Sequence, residues 1–306
     1  MGGQKMAKIL KDIKKNKLLY LMILPIVIYY IIFHYIPMIG ILMAFQNYSP
    51  FKGFFRSEWV GFKHFIDFFS SIYFWRVLRN TFLLSFYNLI FGFPIPIIFA
   101  LLLNEIRLTK FKKAISTISL MPYFVSLVVV AGIIIDFTST DGIITQILHN
   151  LLGIEKTNLL AKPEYFRTIY VLSEIWQYFG FSSIVYLAAL TSIDPELYEA
   201  AMVDGAGRFR QMWYISLPHI LNIAIPLLIL RIGTLLFVGH EKILLLYSPV
   251  TYETADVIST YVYRKGLQEF NYGYSTAVGL FNSVINFILL IIANKLSRRY
   301  SETSLF

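Results

Sequence analysis

The sequence predicts an all-α integral membrane protein with six transmembrane helices. Hydrophobic residues make up 57% of the 306 and charged residues only 15%, and the mean hydropathy of +0.63 is too high for a soluble chain of this size. Six apolar runs, at about 18–45, 78–103, 115–138, 166–192, 219–238 and 273–294, each approach or exceed the roughly 20 residues that cross about 30 Å of hydrocarbon as a helix. Alternating strands of the kind that build a barrel are not apparent, so the backbone polar groups are expected to be satisfied within helices.

The first run follows a basic stretch containing Lys5, Lys8, Lys11, Lys14, Lys15 and Lys17. It carries no small-residue cleavage site and stays apolar past Ile36-Pro37-Met38, which marks a retained anchor rather than a removed secretory signal. Arg107, Lys110, Lys112 and Lys113 follow the second run, and Lys295, Arg298 and Arg299 follow the sixth. These clusters account for much of the net charge of +9; as cytoplasmic anchors they place both termini inside and argue against nucleic acid as a partner. The resulting map has a basic N-terminus (1–17), a first helix (18–45), an outward segment (46–77), a five-helix core (78–294) and a cytoplasmic tail (295–306). The linkers 104–114 and 193–218 face inward.

The outward segment holds Trp59, Phe62, Phe65, Phe68, Phe69, Phe74 and Trp75, a pattern that suits a helix lying on the outer surface and leaves a sugar platform as the other reading. Pro94 and Pro96 in the second run, Pro122 in the third and Pro226 in the fifth each remove an amide donor, so bends are expected there. Glu174 and Arg231 lie deep within the fourth and fifth runs, where each costs about 2.5–3.5 kcal/mol on insertion scales unless compensated. Their depths differ by roughly 8 Å at 1.5 Å per residue. Either they pair, as a transport element or as a packing device, or both face a wet cavity. Trp176, Gln177 and Tyr178, with Asn282 in the sixth run, offer rings that stack on sugars and amides that bond to hydroxyls; the same residues also serve as interhelical glue. There is no cysteine, which excludes thiolate metal sites and Cys nucleophiles, and no metal site is expected from the five scattered histidines.

The most informative stretch is polar and lies between the fourth and fifth runs. Asp194-Pro195 is a strong helix start, favoured further by Glu196 and Glu199 near the positive end. Gly205 is the expected left-handed terminator. Beyond the Gly205-Ala206-Gly207 joint, Arg208 to Ser216 can form a second helix with Phe209, Met212 and Trp213 on one face, and Leu217-Pro218 is expected to stop it. The result is a compact helical knob with a small-residue corner, suited to a partner's groove or to the membrane interface.

Glu199-Ala200-Ala201, Gly205, Ile215 and Leu217-Pro218 stand at the spacing of the cytoplasmic EAA loop, and on these residues the chain resembles the permeases of binding-protein-dependent ABC importers. Val60-Gly61-Phe62-Lys63-His64-Phe65, the run 176–180, 193–198, and 251–257 with 261–264 resemble the carbohydrate-uptake branch, the multiple-sugar and oligosaccharide permeases. His240 departs from the pattern, which leads one to expect an aromatic there, so no substrate contact is carried over to it.

The resemblance implies a bacterial cytoplasmic-membrane subunit that imports a sugar by alternating access. Its implied partners are a second, homologous permease, two cytoplasmic ATP-binding subunits and an extracytoplasmic solute-binding lipoprotein. Glu199, Ala200, Ala201, Asp204 and Gly205, with Ala206 and Gly207, would dock in an ATPase cleft, while Ile215, Leu217 and Pro218 hold the second helix. The chain has no G-x-x-x-x-G-K-[ST] loop, so ATP and Mg belong to the partners, and the chain is not itself expected to be an enzyme. Three alternatives stand: a permease of this kind for a non-sugar solute, an ion-coupled secondary transporter, which calls for internal repeats and mid-depth carboxylates, and a membrane enzyme, which calls for an acid/base or metal cluster.

Overall fold

A computed structural model describes Asp12 and residues 15–300, with side chains through Arg298; Lys5, Lys8, Lys11 and Lys14, the Arg299 side chain and residues 301–306 lie outside it. Five helical stretches are long and apolar enough to cross a membrane: Lys17–Phe45 (α1), Phe74–Asn104 (α3), Leu127–Leu152, Arg208–Gly233 (α9) and Tyr272–Arg298. The last belongs to helix α12, Tyr272–Tyr300, which follows the short helices α10 (His240–Leu246) and α11 (Ile258–Tyr263). A further helix, Pro163–Thr191 (α7), has 29 residues, ample length to span, but Glu174, Gln177 and its serines lower its hydropathy below that of the five. It packs against α3, α9 and helix Thr109–Phe124 (α4).

The run expected as one span at 115–138 is two helices. Helix α4 ends two residues after Pro122, Val125 and Ser126 are extended, and α5 (Leu127–Thr138) begins with Ser126 as its cap, the hydroxyl accepting from the Val129 amide at 3.4 Å. Proline removes a donor from the turn, and a serine that can cap the next helix makes the break inexpensive. A short bend separates α5 from α6 (Ile143–Leu152). Near Pro94 the second run opens into a wide turn, Asn88–Gly92, whereas α9 continues through Pro226.

Segment 46–77, expected to face outward, is more than a surface helix. Gln46–Asn47 (β1) pairs antiparallel with Glu58–Trp59 (β2), and only Lys63–Phe69 (α2) is regular helix of more than one turn before α3 begins at Phe74. Its aromatics divide: Trp59, Phe62, Phe69 and Trp75 are exposed, while Phe68 and Phe74 are buried with Val77, Ile258, Tyr261, Tyr274 and Val278. A second core joins α3, α5 and α7 to 238–257 through Leu84, Val130, Phe166, Tyr170 and Ile243. A third, at the opposite end, packs Ala100, Leu101, Tyr186, Leu190, Ile193, Ile220 and Ala224.

Candidate functional site

The polar stretch between α7 and α9 folds as its residues predict at the first helix and differently at the second. Helix α8 (Pro195–Val203) is capped by Asp194, whose carboxylate accepts from the Glu196 amide at 3.0 Å. It ends in a Schellman arrangement: the Ala206 amide donates to the Ala201 carbonyl at 2.8 Å and the Gly205 amide to the Met202 carbonyl at 3.1 Å. Gly205 has φ +75°, a conformation that costs a side-chain-bearing residue roughly 1–2 kcal/mol. The Gln211 side-chain amide holds the corner by donating to the Ala206 carbonyl at 2.9 Å.

Leu217-Pro218 does not stop the second helix. Arg208 to Gly233 is continuous, and the strain of Pro218 is taken up by a widened turn at Met212–Ser216, where the Leu217 amide reaches back five residues to the Met212 carbonyl. Such a turn gives the proline ring room that a regular helix would deny it. Ile215, Leu217, Met212 and Tyr198 pack on the third core, and the Tyr198 and Ser216 hydroxyls share a hydrogen bond of 2.9 Å. Glu199, Ala200, Asp204, Gly205 and Gly207 are exposed, as are the stacked rings of Phe209 and Trp213. The knob is rooted by one face and offers the other.

The second constellation lies where α3, α7 and α9 meet. A cavity of about 440 Å³ is lined by Asn88, Phe93, Glu174, Tyr178, Phe179 and Arg231 among others. A second of about 150 Å³ shares Asn88, Glu174 and Arg231 and adds Tyr170 and Thr234. Glu174 and Arg231 therefore face common space, but they do not pair. Glu174 accepts from the Lys242 ammonium at 2.8 Å, and the same ammonium donates to Gln177 Oε1 at 3.1 Å. Arg231 donates to the Asn88 side-chain carbonyl at 3.2 Å.

Residues 68–302 match the family described as the binding-protein-dependent transport system inner membrane component. The chain belongs to that family. It is 45% identical over 303 residues to the polygalacturonan/rhamnogalacturonan transport system permease protein YteP of Bacillus subtilis, covering 99% of this chain and 94% of the relative, and equally identical over 295 residues to Protein LplB of the same organism, 96% and 92% covered. A crystal structure of a bacterial ABC transporter involved in the import of the acidic polysaccharide alginate contains a chain 47% identical, superposing with a TM-score of 0.87 over 95% of this chain and 99% of that one. The bacterial alginate ABC transporter in complex with alginate pentasaccharide-bound periplasmic protein gives 0.88.

In this permease the remaining expected pathway residues separate. Tyr178 lines the larger cavity, whereas Gln177 is buried against Lys242, and Trp176, half exposed, lines neither cavity. Asn282 also stands apart. Its amide donates to the Leu236 carbonyl at 3.1 Å while Asn286 accepts from the Leu236 amide at 2.9 Å, so the two asparagines, one turn apart on α12, clasp the unwound peptide that follows α9. Asn282 thus bonds to the backbone of this segment and lines neither cavity. His240 stacks on Tyr263, ring centroids 5.8 Å apart. Asn88 and Lys242 belong to the site although the sequence pattern does not single them out. Lys242 carried a signal, since it is a lone ammonium between Gly239 and an Ile-Leu-Leu-Leu run; Asn88, one polar residue in an apolar span, carried almost none.

Proposed function

We infer that this permease imports a sugar or oligosaccharide delivered by an extracytoplasmic binding protein and that its 194–218 knob receives the motion of a partner ATPase. The observation that carries the reading is one of connection. Helix α7 brings Glu174 and Tyr178 to the cavity and runs directly into the knob; α9 leaves the knob and brings Arg231 to the same cavity. The roughly twenty residues from Glu174 to Asp194 span about 30 Å, so a displacement at the exposed tip is passed along two stiff rods to the two walls of one cavity. Rigid levers around one cavity are what alternating access requires.

In this reading α7 is the sixth span. Its deep charge, Glu174, is tolerated because it faces the cavity and Lys242 rather than lipid. The termini and the knob lie in the cytoplasm, and β1, β2, α2 and the 239–272 segment face outward. A second, homologous permease completes the pathway, two ATP-binding subunits carry ATP and Mg, and Glu199, Ala200, Ala201, Asp204, Gly205, Ala206 and Gly207 seat in the ATPase. Ile215, Leu217 and Pro218 root the second helix.

The test is Gly205→Trp in the assembled importer. A side chain there meets no neighbour within this chain at its Cβ and the positive φ costs it only about 1–2 kcal/mol, so the variant is expected to insert and assemble but to hydrolyse ATP without importing sugar. Normal binding-protein-stimulated uptake by the variant would remove the coupling assignment.

A further inference from the structure

Charge at the cavity is unbalanced. Its two walls carry one carboxylate, Glu174, and one guanidinium, Arg231. Glu174 is already neutralised by Lys242, whose side chain is almost completely enclosed and reaches it at 2.8 Å. Among the described residues Arg231 makes no ion pair; it donates instead to the neutral side-chain carbonyl of Asn88 at 3.2 Å. Glu241, the next acidic residue in sequence, lines neither cavity. One positive charge remains, oriented but uncompensated, at a depth where an isolated charge is costly.

The orientation is built in. Asn88 opens the wide turn Asn88–Gly92, and a Cβ on Gly92 would stand 2.5 Å from the Asn88 carbonyl oxygen, so a glycine at that position lets the Asn88 side chain fold back toward Arg231. Wide turns of this kind concentrate at functional sites. A guanidinium held by one neutral acceptor keeps other donors in a planar fork, the geometry that takes a carboxylate in two parallel bonds. Around it stand Phe93, Tyr178, Phe179 and Phe181, rings on which the apolar face of a sugar can lie.

We propose that Arg231 is a specificity-determining residue that binds the carboxylate of an acidic sugar, a uronate, as it passes through this subunit. The inference rests on the transport reading above and adds the chemical class of the cargo and the residue that selects it. A neutral sugar would leave the Arg231 charge unmet, whereas one carboxylate of a uronate can pair with it. The competing occupant is a carboxylate of the second permease, and the experiment separates the two.

The purified assembly of both permeases and ATPases, without binding protein, is titrated with trigalacturonate and with its carboxyl-reduced neutral counterpart, and binding is followed by saturation-transfer NMR. The wild-type assembly is expected to bind the acid in clear preference to the neutral sugar. Arg231→Gln should weaken the acid by roughly 10- to 100-fold, the range for hydrogen bonds to charged groups, leave the neutral sugar unchanged, and preserve the yield and thermal midpoint of the assembly. Arg231→Lys, which keeps the charge but loses the fork, should retain part of the affinity.

Equal wild-type binding of the two sugars, failure to bind either, or an Arg231→Gln assembly that still prefers the acid would overturn the proposal. So would an assembly that falls apart on Arg231→Gln with either sugar present, the result expected if the partner permease supplies the counter-charge. Proteoliposome uptake with binding protein is measured in parallel. Acid binding through Arg231 with no import of any sugar would refute the transport reading and leave the anion site standing.

Discussion

Asp256 shows how much a single residue can hold. It is fully buried; its Oδ2 accepts from Arg264 at 2.7 Å and from Arg76 at 3.3 Å, and its Oδ1 from the Thr260 hydroxyl at 2.9 Å. Arg76 comes from α3 and Arg264 from the segment before α12, so one carboxylate ties together chain regions 180 positions apart. Burial works to lower the Arg264 pKa, but the hydrogen bond and charge of Asp256 outweigh it and hold the guanidinium above its ordinary value. Asp256→Ala leaves two partly buried cations facing each other. Breaking a buried pair in this way costs about 3–5 kcal/mol, so a marked fall in the thermal midpoint of the detergent-purified protein is expected; an unchanged midpoint would show that the cluster is not structural.

Among the elements, the contact between α4 and α7 is set by closeness rather than by size. A Cβ on Gly180 would lie 2.1 Å from the Ser119 carbonyl oxygen, and one turn away along α4 Tyr123 stacks on Phe181 with centroids 3.8 Å apart. Helices in lipid gain from such close approach because apolar burial alone does not drive them together. Gly180→Val should force the helices apart, with a loss of about 1–3 kcal/mol or more visible as reduced folded yield. Gly132→Ala in α5, where nothing lies within 4 Å, should be silent in the same assay. The clasp on Leu236 makes a second prediction. Asn286→Ala leaves a buried amide without its acceptor, at a cost of about 1–3 kcal/mol, and faster hydrogen exchange around 234–238 is the measurement that checks it.

For the whole molecule, helix α1 has no fully buried residue over its apolar window and meets α12 through its last part, 36–45, while α3, α7, α9 and α12 form the packed body. That body joins the cavity lined by Glu174 and Arg231 to an exposed knob through the same two helices. If the knob is where ATP-driven motion enters, removal of Mg-ATP from the inside of proteoliposomes should abolish uptake, and collapse of ion gradients should leave it intact. The opposite pattern would favour an ion-coupled transporter.

Hydrophobic run length makes most of the long apolar stretches legible in the sequence, because crossing hydrocarbon imposes a length that any chain must obey, although the third is Leu127–Leu152 rather than 115–138. The cap at Asp194 and the stop at Gly205 are legible as well, since both depend on residues within one or two turns. What escapes the sequence depends on neighbours distant along the chain or on competing backbone solutions. The wide turn at 212–216 lets α9 run on through Pro218, and the serine cap at 126 lets the third run break instead of bend; proline alone does not say which will happen. Glu174 meets Lys242 rather than Arg231 because the fold brings the 240–246 helix against α7, an arrangement no local pattern encodes. The amino-acid sequence by itself therefore determined a helical membrane protein with a framed knob, through short-range capping and the thickness of the bilayer; that it is a permease rests on its resemblance to the family. Tertiary packing alone decided which charges meet, and so left Arg231 oriented by Asn88 with its charge unmet.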